Sequence, residues 1–466
     1  MSIGIGVRHF ILEKVECLFI IKNIERRIQM NELERLFAEK ETENGDKAYS
    51  TTGSNLLDLL FMTSYFEQHL NEVKIGNSKK DKLFAMFVRD GRYGLGRRDL
   101  GRELMKQAGV SADDVVLAGR YDDLYKNPTS NNLEKLHDEV RKGNELAKKW
   151  MPRLTCKDEK VAKLLCKRWG LSEKQYRKWI KCDTVENKLS HKRMDDIVFE
   201  QVPSLAMIKY YKRFLQEDRF QEYLDSVKKG EKKLNISTAT VYDIYKNRES
   251  IDADLFFDKL EKIKINCIPV LDTSGSMQDG NDSIGKATCI AHYLAKCSTF
   301  CNGQVVSFSS EPQLLTITDK PVKLNNTWSV REYCTYFGNA NKYCKELNSL
   351  YTGDCSNTDF GAVMNLFAGL NEVPEYLVVL SDMEFDYGSS MSKDATMKLF
   401  KQKGYKTKIV WWNFNSRNKT VPETDDYGNI YISGYSPYLL KFLESGFDGH
   451  KFLDKLLEEY EKKIRA

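Results

Sequence analysis

The run Val270-Leu-Asp-Thr-Ser-Gly-Ser-Met277 constrains the fold of this chain more than any other stretch. Lys264 to Leu271 is an apolar segment bounded by charge and reads as a buried strand. Asp272, Ser274 and Ser276 then fall on the loop leaving the strand's carboxyl end, where open α/β sheets bind ligands. Alternate residues of an extended loop project to one side. One carboxylate with two hydroxyls suits a hard divalent cation that keeps several of its waters, with Mg²⁺ the natural candidate.

The pattern Asp-x-Ser-x-Ser is short and arises by chance in roughly one chain in ten of this length. Its context makes it informative. Cys355-Ser-Asn-Thr-Asp-Phe360 opens an expected helix from Phe360 to Leu370, and Tyr376-Leu-Val-Val-Leu-Ser-Asp382 is a second apolar strand ending in Ser-Asp. Thr358 and Asp382 therefore reach the same sheet edge. Each of these residues alone is also an ordinary cap or turn former. Pro269 stands inside the expected central strand, where a missing N–H is usually excluded, and it puts the strand's start in question.

In this order, on three loops, Asp272, Ser274, Ser276, Thr358 and Asp382 resemble the metal-ion-dependent adhesion site of von Willebrand factor A domains. The resemblance covers residues 262–466 and implies an α/β doubly wound, Rossmann-like domain. It further implies Mg²⁺ or Mn²⁺ held by the serines and the threonine, with the aspartates holding its waters. An acidic side chain of a protein ligand would complete the coordination.

Composition is that of a globular protein with sizeable cores, at 41% hydrophobic and 30% charged residues, so two or three domains are expected. The net charge of +5 permits a nucleic-acid partner without requiring one. The eleven cysteines are odd in number, scattered and without a C-x-x-C pair, which favours reduced core thiols in a cytoplasmic protein over zinc. Phe10 to Ile21 is apolar but carries Glu13, Lys14 and Glu16, which argues against a membrane span or a signal peptide. Residues 1–29 read as a possible leader before an amphipathic start at Met30 to Arg35.

Residues 30–260 read as helices almost throughout, with no strong strand signal. Leu133, Leu136, Val140, Leu146 and Trp150 recur at helical spacing, as do Leu205, Ile208, Tyr211 and Leu215, and then Phe220, Tyr223, Leu224 and Val227. Loops at Asn127-Pro128, Met151-Pro152, Val202-Pro203 and Lys229-Gly230 suggest successive helix pairs without a strict period.

Phe87 to Arg102 gathers Arg89, Arg92, Arg97, Arg98 and Arg102 around Tyr93 in one turn-and-helix unit. Gly91, Gly94 and Gly96 follow a helical pattern rather than a strand, and no Gly-Lys-Ser/Thr follows, so a nucleotide-binding P-loop is not indicated. Arginines at a helix start suit phosphate and an interleaved tyrosine suits a base. The same residues serve equally well as a solvated face paired with Asp90 and Asp99. A second basic stretch runs from Lys148 and Lys149 through Arg153, Lys157, Lys160, Lys163, Lys167 and Arg168 to Lys174, Arg177, Lys178 and Lys181. Only Asp158, Glu159 and Glu173 oppose it, which tilts the balance towards a polyanion.

The order of Thr51 to Asp58, Arg89 to Arg98, Gly119 to Leu124, Val202 to Met207 and the Asp-x-Ser-Gly-Ser segment resembles the Ro ribonucleoprotein family, and more closely its uncharacterised relatives in bacteria, viruses and plants. The similarity spans residues from about 50 to 466. It implies a mostly α, helical-repeat TROVE module closed by the A-type domain, which binds single-stranded RNA ends and small structured RNAs. Taken together, these readings describe a non-catalytic RNA-binding scaffold with a metal-dependent ligand-binding domain. No paired nucleophile and base stands out beside His292 or His450. The alternative is a protein-interaction or assembly module that acts through the metal site with no RNA role.

Overall fold

The computed structural model describes residues 37–155, 157–320, 337–351, 354–423, 429–435, 439 and 449–465. The expected leader, the Met30 to Arg35 start, and Cys17, Cys156 and Cys334 lie outside these residues.

Up to residue 260 the described chain is helical except for one hairpin, in which β1 (Glu39–Glu41) pairs antiparallel with β2 (Lys47–Tyr49). The expectation of helix alone is corrected here. The strands are three residues each and mostly exposed, so they show no apolar alternation. The available signal was the turn, where Asn44-Gly45 places Gly45 at φ +82°.

The helices that matter below are α1 (Asn55–Phe61), α2 (Lys79–Arg89), α3 (Arg98–Gln107), α4 (Glu159–Arg168), α5 (Glu173–Trp179), α6 (Ser283–Cys297), α7 (Phe360–Ala368) and α8 (Gly449–Arg465). The expected Leu133 to Trp150 period divides into two helices, Ser130–Arg141 and Glu145–Trp150, because Gly143 takes φ +87° between them. Leu133, Leu136 and Val140 are buried, whereas Leu146 is exposed. Phe220, Tyr223, Leu224 and Val227 are buried on Asp218–Lys228, while Leu205 on Ser204–Phe214 faces outward.

The carboxyl-terminal half holds a sheet of β3 (Cys267–Asp272), β4 (Gln304–Phe308), β5 (Gln313–Thr316), β6 (Tyr376–Ser381), β7 (Lys408–Asn413) and β8 (Ile430–Ser433). Its order is β5-β4-β3-β6-β7-β8, parallel except for β5, which runs antiparallel to β4. The chain winds outward from β3 in one direction and resumes at β6 in the other, so the switch point lies between β3 and β6. Every residue of both strands is buried, as a parallel sheet covered on two faces requires.

Pro269 sits inside β3 without breaking it. Thr273 N–H donates to Phe308 O on the β4 side, and by strand alternation the nitrogen of residue 269 faces the same way. Pairing with β4 begins only at Val270, so the missing N–H precedes that ladder, while pairing with β6 runs through Pro269 to Val378.

The two halves share one apolar core that runs from Leu56 to Tyr460. Tyr49 and Val421 exchange backbone hydrogen bonds at 2.9 and 2.8 Å. Phe61 meets Tyr431 of β8 edge-on at 5.5 Å, and Ser433 Oγ donates to Leu60 O at 2.6 Å. In α8, Tyr460 packs edge-on against Phe87 of α2 at 5.4 Å, and its hydroxyl donates to Asp90 at 3.3 Å. Tyr460→Ala is expected to cost about 3–5 kcal/mol and Tyr460→Phe about 1 kcal/mol, read as shifts of the urea midpoint. Equal losses in the two variants would mean that the ring contributes little.

Candidate cation site and basic surfaces

The loops after β3 and β6 bring Asp272 and Asp382 to the switch point, both buried. Asp272 Oδ1 accepts from Ser274 N–H at 2.9 Å, and its Oδ2 accepts from Ser381 Oγ at 2.5 Å. The hydroxyls of Ser274 and Ser276 lie 3.1 Å apart, and the Ser276 hydroxyl helps to hold the Asp382 carboxyl down. Burial pushes the Asp272 carboxyl up to about 7, and the charge of Asp382 adds to the shift. Asp382 is likewise raised by burial, against the pull of Arg417.

Thr358, also buried, precedes α7 on a loop at the same edge. Its N–H donates to Asp386 Oδ1 at 3.2 Å and its carbonyl accepts from Asp386 N–H at 2.8 Å, which ties it to the loop after β6. The next residue, Asp359, bonds Ser309 at the end of β4 through its N–H at 2.8 Å. On the β3 loop, a Cβ added at Gly275 would stand 3.2 Å from Cys355 O, so the two loops touch. Two buried carboxylates with neighbouring hydroxyls are a donor set that fits a hard divalent cation. Among the described residues there is no group of three or more His, Cys, Asp or Glu side chains placed to hold a metal.

Sequence reasoning missed three charged neighbours of this site. Arg417, on the loop after β7, donates to Asp382 Oδ2 at 3.1 Å and pairs with Glu43 at 2.9 Å. Glu384 accepts from Glu43 N–H at 2.7 Å, and burial raises its carboxyl too. Only strand order could have pointed to Arg417, since β7 lies next to β6.

The glycines of the arginine segment serve close packing. Leu95 and Arg97 N–H donate back to Phe87 and Val88 carbonyls at 3.0 and 2.9 Å, and a Cβ at Gly94 would stand 1.8 Å from Phe87 O. A Cβ at Gly101 of α3 would stand 2.6 Å from Arg89 Cα. The five arginines consequently differ in what they present. Arg89 is 3% exposed, with its guanidinium 2.7 Å from Asp123 inside the core, so it offers nothing to an RNA. Arg102 pairs with Asp123 at 2.6 Å, Asp99 at 3.2 Å and Asp122 at 3.4 Å, and Arg97 pairs with Glu67 at 3.0 Å. Arg92 and Arg98 are exposed. Arg92 Nη2 donates to Leu117 O at 2.7 Å, and Arg98 has no ion pair among the described residues.

The second basic stretch is the more open. Lys157, Lys160, Lys167, Arg168, Lys174, Lys178 and Lys181, on and around α4 and α5, are exposed and form no ion pair among the described residues. Lys163 and Arg177 are matched by Glu159 and Glu173 at 2.7 and 3.6 Å. Beside them Trp169 and Trp179 meet edge-on at 5.5 Å, each close to His137. The eight described cysteines form no disulfide, and seven of them are buried. No helix among the described residues is long and apolar enough to cross a membrane.

Comparison with known proteins finds one family model described as a domain of unknown function, DUF2828, matching residues 133–264. A second, likewise a domain of unknown function, DUF7788, matches residues 266–464. Uncharacterized protein L728 of Acanthamoeba polyphaga mimivirus is 23% identical over 513 aligned positions, covering 90% of this chain and 87% of that protein. The crystal structure of the RO (RSR) protein of Deinococcus radiodurans is similar at 13% identity with a TM-score of 0.30, over 76% of this chain and 60% of that one. The chain thus spans about three fifths of the length of that structure.

A carboxyl held above its ordinary range binds a proton in the folded state that the unfolded chain has already released. The stability this contributes is full below about pH 4 and is lost as pH rises through about 7. In chelator, stability is expected to fall between pH 5 and 8 by at most about 1.4 kcal/mol per pH unit for this group. Asp272→Asn should flatten that fall, as read from urea midpoints. An identical pH profile in the variant would show that Asp272 does not titrate there.

Proposed function

We propose that the chain is a non-catalytic, cytoplasmic RNA-binding scaffold with a Mg²⁺ or Mn²⁺ site for an acidic side chain of a protein ligand. The observation that carries the RNA reading is the segment on and around α4 and α5, where seven exposed cations lack carboxylate partners among the described residues. An unneutralised basic segment releases counterions from a phosphate backbone, which favours association with single-stranded or small structured RNA. Arg92 and Arg98 extend the candidate contacts. Arg89, Arg97 and Arg102 hold the segment together through Asp123, Glu67, Asp99 and Asp122.

The metal reading is supported by the buried Asp272 and Asp382 carboxylates with Ser274 and Ser276 hydroxyls beside them, and by Thr358 on a loop at the same edge. When bound, a divalent cation would neutralise the two carboxylates and offer a coordination position to an incoming carboxylate. No nucleophile-and-base pair enters this reading.

Glutamate at Lys167, Arg168 and Lys174 should each lower the slope of log affinity against log salt by about 0.7 for single-stranded RNA, measured by fluorescence anisotropy. A wild-type slope near zero would remove the electrostatic basis of the reading. Saturating Mg²⁺ or Mn²⁺ should raise the melting temperature of the wild type, and Asp272→Ala should abolish the rise. Ser274→Ala and Ser276→Ala should reduce it less. If Asp272→Ala responds like the wild type, the ion sits elsewhere.

A further inference from the structure

A cavity of about 430 Å³ opens where the loop between α2 and α3, the segment around residues 234–241, the end of the helical half and α8 converge. This is within the size range of small-molecule sites, at roughly 300–1,000 Å³. Leu234, Ile236 and Leu260 are buried residues of its apolar lining. Arg92, Lys259 and Lys463, all exposed, stand among the lining residues, against the single carboxylate of Glu261. Tyr93 forms part of the wall, with the Arg92 guanidinium and Lys463 Nζ each 5.7 Å from its ring centroid. Arg92 is held in place by its bond to Leu117 O at 2.7 Å.

We propose that this cavity binds a nucleoside phosphate. A ligand suited to it needs a flat apolar body for the lining and the tyrosine face, together with a negative charge for the cations. Inorganic phosphate would leave the apolar lining bare, and an uncharged base or nucleoside would add no negative charge for Lys259 and Lys463, which form no ion pair among the described residues, or for Arg92, whose one carboxylate neighbour is Asp90 at 3.8 Å. A nucleoside monophosphate supplies both parts in one small molecule. A free mononucleotide and the phosphorylated terminal nucleotide of an RNA present the same group. The site is separate from the basic segment on and around α4 and α5, so the proposal stands whether or not that segment binds RNA.

Calorimetric titration of the full chain with AMP, adenosine and inorganic phosphate tests this. AMP is expected to bind saturably, with adenosine and phosphate each at least tenfold weaker. The double variant Lys259→Gln, Lys463→Gln should weaken AMP at least tenfold. Ser237→Trp, at an exposed lining position, should block it in a chain whose circular dichroism is unchanged. A 5′-phosphorylated tetranucleotide that competes with AMP would identify an RNA terminus as a source, and failure to compete would leave the free nucleotide. Glutamate at Lys167, Arg168 and Lys174 should leave AMP binding unchanged, and its loss there would move the nucleotide to α4 and α5 and overturn the proposal. Absence of saturable binding at millimolar AMP overturns it, as does equal affinity for adenosine or phosphate. An affinity unchanged in both cavity variants overturns it too.

Discussion

A parallel sheet has to be covered on both faces, and the rest of this structure follows from that constraint. Trp411 and Trp412 are consecutive residues of β7, so their side chains leave opposite faces, and both are fully buried. Each indole also finds an acceptor, Glu423 for Trp411 at 2.7 Å and the Gly434 carbonyl for Trp412 at 2.6 Å. Cover on this scale comes partly from far away in the chain. Phe61 of α1 packs against Tyr431 of β8 and Phe87 receives Tyr460 of α8, so helices from the first hundred residues complete the packing of strands and helices from the last hundred.

Parts of this were legible in the sequence because burial writes itself into composition. The apolar runs ending at Asp272 and Ser381 are the two strands that flank the switch point, and the helix expected at Phe360 starts there with Asp359 as its cap. Exposure of charge was much less legible. Arg89 and Arg102 looked like a phosphate platform because Asp122 and Asp123, which bind them, lie in a separate segment well downstream. The cations from Lys157 to Lys181 could be read more directly, since carboxylates are scarce around them in sequence and only Lys163 and Arg177 form ion pairs among the described residues. The hairpin at Glu39–Tyr49 left no apolar pattern because so little of it is buried.

At the switch point, the competing terms are desolvation and charge. Burial disfavours ionising Asp272 and Asp382 together, and Arg417 supplies only part of the compensation, because its guanidinium is shared with Glu43. Asp272 therefore keeps its proton to a higher pH than an exposed aspartate would. Glu384 and Glu43 add to the same local field.

The turn of the first hairpin also belongs to this neighbourhood. Thr42 Oγ1 donates to Phe385 O at 2.7 Å, Asn44 Nδ2 to Glu384 O at 2.8 Å, and Gly45 bridges to Asp386. Asp46 accepts from Ser390 N–H at 3.0 Å. These few residues wall one side of the loop after β6, although more than three hundred positions separate them from it. A fragment cut near residue 260 would keep all five of the oxygen-bearing residues and lose this wall, together with the carboxylate that shares Arg417. The electrostatics around Asp382 and Glu384 in the fragment would then differ from those of the whole chain.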